Sequence, residues 1–173
     1  MIRKSNKQKI LGVFFDEPTR PHQLREIGKR TGIGLPSVKR YIEELAKEGV
    51  LRKETGPVFP YFVSNRESRI YKRLRAADTA LRLEESGFIE ALEEIYPDCI
   101  VLFGSAARGE DVEKSDIDVF VQAKEKAVDL KKVEKATARK INLVFEPDTG
   151  RLPPEFKNNL ANGIVLSGFL RLV

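Results

Sequence analysis

The stretch that decides the fold runs from residue 99 to residue 121: Cys99-Ile100-Val101-Leu102-Phe103, then Gly104-Ser105-Ala106-Ala107-Arg108-Gly109, and, after a polar interval, Asp116-Ile117-Asp118-Val119-Phe120-Val121. The first five residues are an unbroken apolar run, the pattern of a strand covered on both faces. Glycine directly after such a strand lets the backbone approach another group closely, and N–H groups at a following helix start can hold phosphate oxygens. Ser105 adds a hydroxyl donor. Ten residues separate Ser105 from Asp116. Alternate residues of a strand share a face, so Asp116 and Asp118 project together while Ile117 points into the core. Two convergent carboxylates suit Mg²⁺ (or Mn²⁺), a hard cation that takes oxygen ligands. Cys99 is expected to be a small core residue and not a nucleophile.

Gly-Ser, ten intervening residues and Asp-x-Asp, set between two apolar strands, resembles the nucleotidyltransferase superfamily of DNA polymerase β, and within it the minimal nucleotidyltransferases. The resemblance implies a small mixed-sheet α/β domain over residues 87–173. It implies a nucleoside triphosphate held at Gly104, Ser105 and Arg108, and a Mg²⁺ or Mn²⁺ ion at the catalytic pair Asp116 and Asp118. Arg108 is open to a second reading, as a solvated helix residue. The implied reaction is an in-line displacement that moves a nucleoside monophosphate to an acceptor and releases pyrophosphate. Members of the family usually carry a third carboxylate on a later strand. Here that strand reads Lys140-Ile141-Asn142-Leu143-Val144-Phe145-Glu146, and alternation puts Asn142 at the expected place. An asparagine offers a neutral oxygen but cannot accept a proton near neutral pH. Glu146 lies about 13 Å further along the strand and is no simple replacement. Minimal members often work beside small helical proteins, so a protein acceptor or a helical partner protein is among the implied partners. Further on, residues 153–162 read as a helix stopped by Gly163, followed by the apolar segments Ile164-Val165-Leu166 and Phe169-Leu170.

Upstream the sequence changes character. Ile10, Leu11, Phe14 and Phe15 recur at helical spacing until Asp16-Glu17-Pro18-Thr19 breaks the pattern. A second short helix fits residues 22–30, with His22 at its start in a solvated or capping role. Thr31-Gly32-Ile33-Gly34 reads as a tight turn using glycine's access to positive φ. Leu35, Val38, Ile42 and Leu45 form the inward stripe of a third helix, with Pro36 in its first turn and Gly49 just past its end. Two extended runs, residues 50–54 and 60–63, flank a Gly-Pro break and read as a β-hairpin. Three helices and a hairpin over residues 1–65 resemble a winged helix-turn-helix domain. The resemblance implies double-stranded DNA as partner, with Ser37, Lys39 and Arg40 entering the major groove and Arg52 and Lys53 on the wing. The same charges would be merely solvated if the module docks proteins.

Residues 66–86 read as one long linking helix. Ile70, Leu74, Ala77 and Leu81 step by four, three and four, a narrow heptad-like seam. Three roles remain open for it: a spacer, a packing face against the first domain, or the seam of a homodimer. The expected fold is thus α+β, a winged helix joined by a long helix to a nucleotidyltransferase-type domain.

Charge supports this division. Residues 1–75 carry 18 Lys/Arg against 8 Asp/Glu, a net of +10, whereas the remainder carries 13 against 18, a net of −5. A basic half beside an acidic one suggests two domains with different partners. Across 173 residues, 41% are apolar and 33% charged, a soluble globular balance. No apolar run approaches the roughly 20 residues of a membrane span. The first residues lead into a charged amphipathic stretch and not an apolar leader, so the expected location is cytoplasmic with no membrane partner. One cysteine and one histidine exclude a disulfide framework and a Cys/His zinc site within one chain. Two functions are expected from the whole: a DNA-tethered nucleotidyltransferase acting on a protein or small-molecule acceptor, or a transcription regulator whose weakened transferase domain senses nucleotide or binds a partner. Acceptor, nucleobase and DNA sequence are not legible.

Overall fold

The computed structural model describes residues 5–172. The chain divides into two compact units between Leu74 and Arg75.

In the first unit, helix α1 spans Asn6–Asp16. Its start is fixed by a reciprocal cap: the Gln8 N–H donates to the Ser5 hydroxyl at 3.3 Å, and the Ser5 N–H donates to Gln8 Oε1 at 2.8 Å. Ile10, Leu11, Val13, Phe14 and Phe15 are all buried, a wider face than the four residues read from spacing. Helix α2 spans Leu24–Thr31 and ends at Gly32 with φ +70°, as the turn requires. Helix α3 spans Leu35–Lys47. Val38, Ile42 and Leu45 are fully buried, but Leu35, expected inward, is 44% exposed because it opens the first turn at the rim of the core. Strand β1, Leu51–Glu54, pairs antiparallel with β2, Tyr61–Ser64, in the register Leu51↔Ser64 to Glu54↔Tyr61.

His22 overturns its expected solvated role. Its residue is 0% exposed, and its backbone exchanges two hydrogen bonds with Phe62, at 2.9 and 2.8 Å, extending the hairpin by an isolated bridge. Its ring meets Phe14 edge-on at 5.0 Å between centroids. A residue before a helix has non-helical backbone free to pair with a strand, and here that pairing draws the side chain into the core.

Helix α4 spans Arg69–Glu85 and runs through the division between the units. Its buried positions are Tyr71, Arg75, Ala76, Thr79 and Leu83; Tyr71 belongs to the first core and Leu83 to the second. The apolar seam lies on its other side: Ile70 is 48% and Leu81 51% exposed, and Leu74 and Ala77 are exposed too. The seam is therefore not the face that joins either unit's core.

The second unit continues with α5, Phe88–Glu93, and then β3, Cys99–Phe103, α6, Gly104–Arg108, and β4, Ile117–Val121. Helix α7, Lys131–Thr137, precedes β5, Ile141–Phe145; α8, Pro154–Ala161, precedes β6, Ile164–Gly168. The four strands order as β5-β4-β3-β6, with β4 and β5 parallel and the other pairs antiparallel. This small mixed sheet with flanking helices is the expected α+β arrangement. Every residue of β3 is buried, Ile100 and Leu102 beneath Phe88, Leu92 and Val133, and Cys99, Val101 and Phe103 beneath Leu160 and Phe156. The segment after α8, read only as apolar, is the edge strand beside β3. Among the described residues no helix is long and apolar enough to cross a membrane.

Candidate active site

The sheet places the candidate carboxylates by register. Phe103, the last residue of β3, is the Cα partner of Asp118 in β4, and Asp118 is in turn the partner of Asn142 in β5. The three residues lie in one row across the sheet, so the chain following β3 emerges beside Asp118. That chain begins with Gly104 at φ +72°. A Cβ on Gly104 would stand 2.8 Å from Asp118 Oδ2, closer than such atoms pack. A side chain there would be strained by the left-handed backbone and would have to displace the Asp118 carboxylate. The Gly104 backbone thus lies directly against one carboxylate oxygen, a cradle without a side chain. The other oxygen, Oδ1, accepts a 3.0 Å hydrogen bond from the Asn142 side-chain amide.

Asp116 sits immediately before β4 and is exposed, and Asp118 is half-buried; buried Ile117 separates them. Asn142 therefore adjoins Asp118, as alternation along β5 implied. Glu146 lies past the opposite end of β5, where its carboxylate accepts from the Asp148 N–H. Among the described residues no trio of Asp, Glu, His or Cys side chains converges around Asp116 and Asp118. Ser105 is half-buried in the first turn of α6. Arg108 is exposed, and its Nε donates to Glu110 at 2.9 Å, a surface pair.

Residues 85–166 match the family model of the nucleotidyltransferase domain. No curated protein and no solved structure gives a significant match to the chain. Within the matched segment, the donor set at Asp116 and Asp118 fits the divalent cation that nucleotidyltransferase domains typically use. Both side chains offer hard carboxylate oxygens, and Asn142 engages only one of the two on Asp118. Cys99 has no part in this chemistry: burial pushes its thiol up, and the charge of Asp98 pushes the same way.

Three residues near the site escaped sequence reading. Asp111, whose side chain is fully buried, accepts Arg75 Nε at 2.9 Å and Nη2 at 2.7 Å, and pairs with Arg139 Nη1 at 2.7 Å. Arg139 also donates Nε to the Ser115 carbonyl at 2.8 Å and Nη2 to the Asp116 carbonyl at 3.0 Å. Burial draws the Arg139 guanidinium below its ordinary value, and neighbouring Asp111 pulls it back up. The acidic Glu110-Asp111 pair is a sequence signal, but nothing in the sequence indicates that one member is buried.

In the first unit, Lys39 and Arg40 lie exposed on α3, opposite its buried stripe, while Ser37 is half-buried. Lys39 approaches Glu43 at 3.9 Å and Arg40 approaches Glu44 at 4.0 Å, exposed pairs that constrain little. Arg52 and Lys53 are exposed on β1. A cluster that sequence reading missed brings Glu17, His22 and Glu26 within 4.8 Å. Its carboxylates are already bridged by Arg20, at 3.0 Å to Glu17 and 2.9 Å to Glu26, and Arg30 also bonds Glu17. Two carboxylates against two guanidiniums make it a balanced ion-pair network. Burial pushes the Glu17 carboxyl up, but the hydrogen bonds and charges of Arg30 and Arg20 outweigh that and hold it below the usual carboxylate range.

Proposed function

We propose that the chain is a Mg²⁺- or Mn²⁺-dependent nucleotidyltransferase that moves a nucleoside monophosphate to a protein or small-molecule acceptor, with its N-terminal unit tethering it to double-stranded DNA. The observation that carries this reading is the Gly104 cradle against Asp118. Backbone with no side chain, next to a carboxylate, accommodates a phosphate close to a metal-binding oxygen. In this reading Gly104 and Ser105 bind the triphosphate, with Arg108 able to turn from Glu110 toward phosphate charge. Asp116 and Asp118 hold the divalent ion, which when bound supplies stabilisation of the charge that develops on the transferring phosphate. Asn142 orients Asp118 through its amide. It cannot take a proton from the attacking hydroxyl.

Asn142 also favours a second reading, a regulator whose transferase domain binds nucleotide without turning it over. The order of α1, α2, α3 and the hairpin supports a winged helix-turn-helix in both readings, with Ser37, Lys39, Arg40, Arg52 and Lys53 facing DNA. The net charge of +10 over residues 1–75 agrees with a polyanionic partner.

The test is a titration of the full chain with a nucleoside triphosphate, with and without Mn²⁺, alongside the Asp116→Ala/Asp118→Ala variant. Metal-strengthened binding by the wild type, lost in the variant with its fold intact, is the expected result. Wild-type binding indifferent to metal would overturn the site. Transfer of labelled nucleotide to an acceptor in cell extract then separates the enzyme from the regulator.

A further inference from the structure

We infer that Arg139 is a positioning residue that sets the aim of the Asp116 carboxylate, and that the Arg75–Asp111–Arg139 network exists to hold it in that place. The inference rests on the reading of Asp116 and Asp118 as the metal-binding pair.

The two aspartates are held very differently. Asp118 lies inside the sheet, paired on one side with Phe103 and on the other with Asn142, and the Asn142 amide fixes its carboxylate directly. Asp116 lies one residue outside β4. The β4–β5 ladder begins after it, where the Ile117 N–H donates to the Lys140 carbonyl at 2.9 Å. The peptide joining Asp116 to Ile117 is thus held at its N–H end, while its carbonyl end lies outside the strand pairings. The Arg139 side chain supplies what the ladder does not: its Nη2 takes the Asp116 carbonyl and its Nε takes the Ser115 carbonyl. Two successive peptides are thereby fixed by one planar fork, which sets the direction in which the Asp116 side chain leaves the backbone.

The fork itself is held from behind. Its third nitrogen, Nη1, is engaged by Asp111, and Arg75 on α4 grips Asp111 through two parallel hydrogen bonds. Arg75 is 4% exposed and the Asp111 side chain is fully buried. Burying such a network is costly unless every member is paired, and replacing it by apolar residues is often neutral or better for stability. A network of this kind placed directly behind a metal-binding aspartate has a function in orienting it, as partners behind metal ligands commonly do. Lysine could keep the charge beside Asp111, but its single ammonium has no planar fork to span both carbonyls and the carboxylate.

The experiment measures binding of Mn²⁺ alone to the full-length protein through the free-ion electron paramagnetic resonance signal, beside thermal unfolding of the same samples. Arg139→Lys is expected to bind Mn²⁺ about tenfold more weakly than wild type, with little change in unfolding midpoint. Arg139→Gln should weaken it at least as much; if it fails to fold, the lysine variant decides. Arg151→Gln, at an exposed surface pair, is the control. In an Asp116→Ala background, Arg139→Lys should cause no further loss, because the effect passes through Asp116. A lower midpoint with unchanged Mn²⁺ affinity in Arg139→Lys would overturn the inference, as would a full further loss in the Asp116→Ala background; both leave the metal site standing. Wild-type protein that binds no Mn²⁺ would overturn the site reading and this inference with it.

Discussion

At the residue scale the site turns on Asn142. Its Nδ2 donates to Asp118 at 3.0 Å, so an aspartate at the same place would set two carboxylates against each other where there is now a hydrogen bond. Without metal, Asn142→Asp is therefore expected to lower stability, and added Mg²⁺ or Mn²⁺ to restore it by binding the folded state. A urea titration with and without metal reads both effects. If proton removal limits transfer, the new carboxylate should also raise turnover, toward the 10²–10⁴-fold that a well-placed general base contributes. Robust wild-type transfer that Asn142→Asp leaves unchanged or reduces would show that two carboxylates suffice. Inactivity of both forms toward every acceptor, with DNA affinity responding to nucleotide, would replace the enzyme by the regulator.

Elements set the next scale, where α1 and α2 of the first unit are tied by charge as well as by core packing. Glu17 closes α1 and is bonded by Arg20 and Arg30, the latter in the last turn of α2. Its carboxyl is held below its unfolded value, so it contributes stability that is fully present above the unfolded value and is lost as pH falls through the folded one. Thermal unfolding followed between pH 6 and about pH 3 should show that loss in wild type and a flatter profile in Glu17→Gln. Helix α3 yields a different expectation. Lys39 and Arg40 project from its exposed side, whereas Lys131 and Lys132 open α7 in the other unit. Removing the first pair should weaken duplex DNA binding more than removing the second, with each lost phosphate contact lowering the salt slope by about one. Equal losses in a fluorescence anisotropy titration over a salt series would sink this placement of the DNA surface.

For the whole molecule, the sequence by itself determined the parts whose physics is local or nearly so. The apolar run 99–103 has the pattern of a strand buried on both faces, and it is one. The Gly104 break and the Asp116/Asp118 spacing marked the candidate site, although Asp116 falls one residue outside β4, and stripes at helical spacing marked α1 and α3. The resemblance, together with alternation along residues 140–146, pointed to Asn142 as the neighbour of Asp118, and the β4–β5 pairing places it there. Tertiary structure decided what depends on partners distant in sequence. His22 looks like any polar residue before a helix, and only pairing with Phe62, forty residues on, buries it. Ile164–Gly168 carries no alternation that marks an edge strand, and its place beside β3 comes from antiparallel pairing with a strand far upstream. The seam Ile70/Leu74/Ala77/Leu81 has the spacing of a packed face, yet the helix buries Tyr71, Arg75, Ala76, Thr79 and Leu83 instead. Periodicity counts apolar side chains and misses a face built partly from an arginine and a threonine. Arg75, Asp111 and Arg139 were illegible for the same reason. A buried charge is stable only when its partners surround it, and those partners come from three separate segments that meet only in the fold.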